Sequence, residues 1–139
     1  MGDQERKTAV VSDAASVDEE ILDQIRVLCE RFAGADEGEL QARPLFRVGR
    51  RRFAIFNGAA SDDRPRWATS GRSLHFLADP NEIDALRDDG RFDPSPHHGD
   101  RGWLALRLED ASKVDWVEVA ELLESAHHQV APRAAPDTP

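Results

Sequence analysis

The sequence holds one cysteine, Cys29, in 139 residues. One thiol closes no internal disulfide, and a lone cysteine is the usual pattern of a reducing compartment, so a cytoplasmic location is expected. Long apolar runs are missing as well: none approaches the roughly eighteen residues that a bilayer-spanning helix needs, which argues against a membrane span. The N-terminal Met1-Gly2-Asp3-Gln4-Glu5-Arg6-Lys7 lacks the apolar core of a secretory signal. Gly2 would suit myristoylation, but Arg6 stands where that motif wants serine or threonine. No glycine-rich loop of the phosphate-cradling kind occurs.

What the chain has in quantity is charge. The formal net charge is −9, which opposes nonspecific attraction of the whole molecule to phosphate. Its distribution is uneven: residues 1–42 carry 4 basic and 11 acidic side chains, residues 43–72 carry 8 and 2, and residues 73–139 carry 6 and 14. All eight cations of the middle segment are arginine: Arg43, Arg47, Arg50, Arg51, Arg52, Arg64, Arg66 and Arg72.

At this length one core is expected, burying roughly two thirds of the unfolded chain's surface without a metal or disulfide staple. Residues 1–17 and 134–139 are polar and aperiodic and read as disordered tails around one domain over 18–133. Ile21, Ile25, Leu28, Cys29 and Phe32 fall on one helical stripe, which predicts a helix over 18–32. Leu45 to Val48 and Arg52 to Phe56 read as a hairpin around Gly49, and Ser73 to Ala78 as a third strand. Asp79, Pro80 and Glu82 form a capping-box pattern that predicts a helix over 80–89. The prolines after Phe92 impose an extended segment. Leu104, Leu106 and Leu108 then alternate as a strand, and a stripe from Trp116 to Val130 predicts a helix over 113–129. The order is α-β(3)-α-β(2)-α, an α+β two-layer fold in which helices cover one face of an antiparallel sheet and leave the other at least partly open.

Three segments look familiar. They are Phe46-Arg47-Val48-Gly49-Arg50-Arg51-Arg52-Phe53-Ala54, then Ser73-Leu74-His75-Phe76-Leu77 running into Asp79-Pro80, then Pro96-His97-His98-Gly99-Asp100-Arg101-Gly102-Trp103-Leu104. In combination they resemble the MmcQ/YjbR family over roughly residues 18–133. The resemblance implies a fold similar to that of secretion chaperones and to double-wing DNA-binding modules. His127 and His128 stand where that family usually shows a Tyr-Arg pair.

Function follows less directly. Arg47, Arg50, Arg51, Arg52, Arg64, Arg66 and Arg72 form a candidate phosphate-binding surface centred on the hairpin, because guanidinium forks suit phosphate. Trp67 and Trp103, with His97, His98, Arg101 and Arg107, form a candidate ligand surface on the open sheet face. Adjacent histidines on an extended chain point to opposite sides, so no metal site is expected. Ser95, His97 or His98, and Asp100 sit too close in sequence to converge as a triad, and no cofactor or catalysis is expected. The expected role is a noncatalytic binding module with DNA as partner. The alternatives are a protein-interaction or chaperone-like module, monomeric or homodimeric, and a small-molecule binder using the open sheet face.

Overall fold

The computed structural model describes residues 2–59, 72–95 and 102–131, with side chains from Ala15 onward. Helix α1 (Gly2–Cys29) leads into four strands, β1 (Ala35–Leu40), β2 (Arg43–Val48), β3 (Arg51–Asn57) and β4 (Ser73–Leu77). A short helix α2 (Ile83–Asp88), strands β5 (Phe92–Pro94) and β6 (Trp103–Arg107), and helix α3 (Trp116–Val130) complete the described chain. The strands form one open sheet in the order β1-β2-β3-β4-β6-β5, every neighbouring pair antiparallel.

The α+β class and the antiparallel sheet are those expected, with β1 added at the edge. Its sequence, Ala-Asp-Glu-Gly-Glu-Leu, has no apolar alternation, and pairing with β2 makes it a strand. The connection is a two-residue turn, Gln41-Ala42, with φ of 52° and 65°. Neither residue is glycine, so the turn carries a left-handed backbone that costs an L side chain roughly 1–2 kcal/mol per residue.

Helix α1 starts at Gly2 instead of near Asp18. Val17, Ile21, Ile25 and Cys29 seat its C-terminal half on the core, and the good helix formers Gln4, Glu5, Arg6, Lys7 and Ala9 extend a helix already nucleated there. The expected tail over 134–139 lies outside the described residues.

Two helix starts differ from the sequence pattern. Asp79 accepts from the Asn81 amide at 2.8 Å, a local turn that delays α2 to Ile83 and leaves Glu82 without a side-chain capping bond. The helix expected from residue 113 begins at Trp116, because Asp115 accepts from the amides of Val117 and Glu118 as a true N-cap. A single 3-10 turn, Ala111–Lys113, precedes it.

One face of the sheet carries the main core. Phe46, Ala54, Phe56, Leu74, Phe76, Phe92, Leu104 and Leu106 meet Ile21, Ile25 and Cys29 of α1 and Val119, Leu122, Leu123, Ala126 and Val130 of α3. A β-bulge adjusts this face: Phe46 pairs with Ala54 and Arg47 with Arg52, so Phe53 is the extra residue. The bulge lets Phe53 join the helix side, where its ring meets Phe32 at 6.2 Å and His127 at 5.6 Å.

The second face, expected to be at least partly open, is covered in part. Leu45, Ile55 and Trp103 form a smaller buried cluster there, with His75 and Ala105 also fully buried. At these positions the face is covered, while Arg52 on the same face is exposed.

Candidate functional site

Among the described residues, the β2–β3 turn places the densest positive charge. Gly49 takes φ 61° at the tip, a conformation glycine adopts without penalty. Arg50, Arg51 and Arg52 follow it, all three exposed. Arg51 Nη2 donates to the Gln129 carbonyl at 3.1 Å, in the last turn of α3. Arg50 holds no hydrogen bond or ion pair among the described residues. Arg52 lies directly opposite Arg47 across the hairpin, a like-charge pair that costs free energy by itself. Asp36 continues the same row on β1, and its carboxylate takes Arg47 Nε at 3.1 Å. One strand row thus reads carboxylate, guanidinium, guanidinium, and the added strand supplies the offsetting charge.

Other arginines of the basic segment are engaged structurally. Arg43 is buried, donating from Nε to Asn57 Oδ1 at 2.6 Å and from Nη1 to the Gln41 carbonyl at 3.0 Å. Arg72 is 8 % exposed. Its Nε donates to Asp18 Oδ1 at 2.6 Å and its Nη1 to the Glu109 carbonyl at 3.2 Å. Asp18 also accepts from the Ala59 amide at 3.0 Å, so one carboxylate ties α1 to the end of β3 and the start of β4. Arg64 and Arg66 lie outside the described residues. Among the described residues the positive charge of this segment therefore centres on the hairpin tip, since Arg72 faces inward and Arg47 is neutralised.

The second candidate surface changes character. Trp103 is 5 % exposed and packs with Leu45 and Ile55, so its ring offers no platform to solvent. Arg107 lies 3.6 Å from Asp93 Oδ2 and donates to the Gly90 carbonyl. Trp67, His97, His98 and Arg101 lie outside the described residues. On the same face His75 is hydrogen-bonded on both ring nitrogens, Nε2 to Ser73 Oγ and Nδ1 to Ser95 Oγ, each at 2.9 Å. All three side chains are buried, which satisfies the imidazole and denies it a substrate. Ser95, one residue type of the dismissed triad, is thus committed to His75. The alternation of Ser73 and His75 with Leu74 and Phe76 was the available signal for this polar line.

His127 and His128 separate in role. The His127 ring stacks on Phe32 at 4.9 Å and 18°, and its Nε2–H donates to the Ala33 carbonyl at 2.8 Å. His128 is exposed.

Two clefts open beside the core. The larger, about 340 Å³, has Arg91, Arg107 and Lys113 on its wall, each facing a carboxylate. Arg91 is forked between Asp89 and Glu118 at 2.7–2.9 Å. That guanidinium, aided by the Arg91 amide, holds the Asp89 carboxyl down at about 2. The smaller, about 170 Å³, reaches Cys29 between α1 and β1. Burial first, and the negative charge of Glu37 second, push the thiol up to about 12, which leaves it a poor nucleophile. Among the described residues no group of His, Cys, Asp and Glu is arranged to hold a metal ion, and no helix is long and apolar enough to cross a membrane.

The YjbR family model matches residues 30–129, a stretch that includes the hairpin, β4, β6 and nearly all of α3. The chain belongs to the YjbR family. The fold is also that of a solved structure, Deinococcus radiodurans protein DR2400, whose domain is described as DUF419. The two superpose with a TM-score of 0.63 at 20% identity, covering 81% of this chain and 80% of that one. No curated protein matches. The strands and turn that carry Arg47 and Arg50–Arg52 all lie inside the matched span, whereas Asp18, the partner of Arg72, lies outside it.

Proposed function

We propose that this YjbR-family chain is a noncatalytic binding module that engages nucleic acid, with duplex DNA as its partner, through the β2–β3 hairpin tip. The observation that carries the reading is the tip itself: three successive exposed arginines, one in the turn and two opening β3, in a protein whose net charge is −9. Backbone phosphates are the partner such a projection suits, because an arginine fork gives a charge-assisted contact that reads no base sequence. The reading also accounts for the acidic remainder, which limits binding by other faces and leaves the tip as the point of attachment. A lone, buried thiol fits work in a reducing cytoplasm.

The test is fluorescence anisotropy of labelled duplex DNA at two salt concentrations, comparing the native chain with the variant Arg50→Ala, Arg51→Ala, Arg52→Ala. Binding by the native chain that falls steeply with salt, and falls further in the variant, supports the proposal. Equal binding by both proteins, or none by either, removes it.

A second reading, a protein-interaction module, draws support from β1. This strand stands at the sheet edge, where an extended partner strand can add, and its exposed Asp36, Glu37 and Glu39 would restrict that partner to a basic one. Its mark would be partner binding that survives the arginine substitutions and is lost when Gly38 is replaced by proline. The burial of Trp103 weighs against a small-molecule role for the second sheet face.

A further inference from the structure

Three elements meet at the hairpin tip. Ala35 pairs with Val48, two residues before Arg50. His127 donates to the Ala33 carbonyl, and Arg51 to the Gln129 carbonyl. The contacts run in a closed circuit: from the turn after α1 to the hairpin, from the hairpin to the last turn of α3, and from α3 back to the turn after α1. Arg31 lies on this circuit. Its amide donates to the Leu28 carbonyl at 3.2 Å in the tight turn that ends α1. The side chain is exposed and, among the described residues, holds no ion pair.

The carboxylates near it are unevenly available. Glu37 is taken by Arg26 at 2.8–2.9 Å and Asp36 by Arg47, which leaves Glu30 as an exposed acid beside Arg31. Against it stand Arg31, Arg50 and Arg51. The local balance is positive, and it is built from two separate segments of the sequence, of which only one belongs to the arginine-rich stretch.

We propose that Arg31 is a further phosphate-contacting residue, so that the nucleic-acid surface spans the end of α1 as well as the hairpin tip. This rests on the preceding reading and adds to it a second anchoring element, which fixes the duplex against the α1–β2–β3 end of the molecule instead of pivoting on one turn.

The experiment measures duplex DNA affinity across a salt series for the native chain, Arg31→Ala, Arg50→Ala with Arg52→Ala, and Lys113→Ala. Lys113 is exposed on the 3-10 turn and removes the same unit of charge from a different element. Arg31→Ala is expected to weaken binding roughly fivefold and to lower the slope of log affinity against log salt by about one. Its thermal midpoint should match the native chain, and Lys113→Ala should bind as native. If the tip variant weakens binding while Arg31→Ala does not, the inference falls and the tip reading stands. If Lys113→Ala weakens binding as much as Arg31→Ala, the effect is one of net charge and the inference falls. If the tip variant binds as native, both fall.

Discussion

Replacing His127 should show how the hairpin, the end of α1 and the end of α3 are held together. The ring is stacked on Phe32 and edge-on to Phe53, and its Nε2–H satisfies the Ala33 carbonyl. Each aromatic pair is worth about 0.5–1.5 kcal/mol beyond area burial. The hydrogen bond contributes about 1 kcal/mol, and because Ala33 is exposed, water can take over its carbonyl once the ring is gone. His127→Ala removes both rings' partner and the donor together, so the expected loss is about 2–4 kcal/mol. His127→Phe keeps a ring in place and loses the donor, so it should cost about 1–2 kcal/mol. Urea unfolding followed by tryptophan fluorescence measures both, and the midpoint should fall with the slope unchanged. Two results would refute the reasoning: a loss below about 1 kcal/mol for alanine, or a phenylalanine variant no better than the alanine one. The first would mean that the seam does not depend on the ring. The second would mean that the hydrogen bond, and not the stack, holds it.

Asp18→Ala should cost about 2–4 kcal/mol in the same assay, because it strands a nearly buried Arg72 guanidinium and removes the acceptor of the Ala59 amide. Gly58→Ala should mimic part of that loss, since a Cβ there would lie 2.5 Å from Asp18 Oδ2. Ala42→Gly should stabilise the fold by about 0.5–1 kcal/mol: relief of a left-handed alanine outweighs the added freedom of the unfolded chain. The Asp89 carboxyl, held at about 2 by Arg91, should titrate in that region by NMR, and Arg91→Ala should raise it but leave it below the ordinary carboxylate range, because the amide of residue 91 still donates to it. Its folded value lies below its unfolded one, so the stability it contributes is present above pH about 4 and is lost as pH falls toward 2.

The elements legible in the sequence were those whose apolar spacing decides burial without help from elsewhere. The stripe from Trp116 to Val130 and the alternation of Leu104 and Leu106 are of this kind, and so are the runs flanking Gly49. Strand β1 was not legible, because Asp36, Glu37 and Glu39 carry no pattern and the strand exists through its hydrogen bonds to β2. The bulge was hidden by its own composition: Phe53, Ala54, Ile55 and Phe56 are all apolar, and a continuous run does not say which side chain faces which way. For the candidate site, the concentration of arginine was visible but the fate of each arginine was not. Arg72 meets Asp18 across 54 positions, and Arg43 meets Asn57 across 14. No local rule joins residues so far apart, and only the fold decides which cations turn inward.

The contact of Arg51 with the end of α3 also supplies the strongest competing explanation for the basic tip, and a way to separate the two. Helices α1 and α3 both end at this side of the molecule, at Cys29 and Val130, and a helix C-terminus carries partial negative charge and unpaired carbonyls that attract cations. Arginines gathered there could serve the fold alone. Arg51 does serve it, through the Gln129 carbonyl, whereas Arg50 sits one residue earlier at the turn with no such bond among the described residues. A purely structural role predicts that stability tracks the loss of Arg51 and that Arg50→Ala changes nothing measurable. A binding role predicts that Arg50→Ala leaves the unfolding midpoint untouched and still lowers affinity for a polyanion. The two substitutions stand next to each other in the chain and remove the same charge, but only if the tip holds something besides its own helix should Arg50→Ala lower affinity without lowering the midpoint.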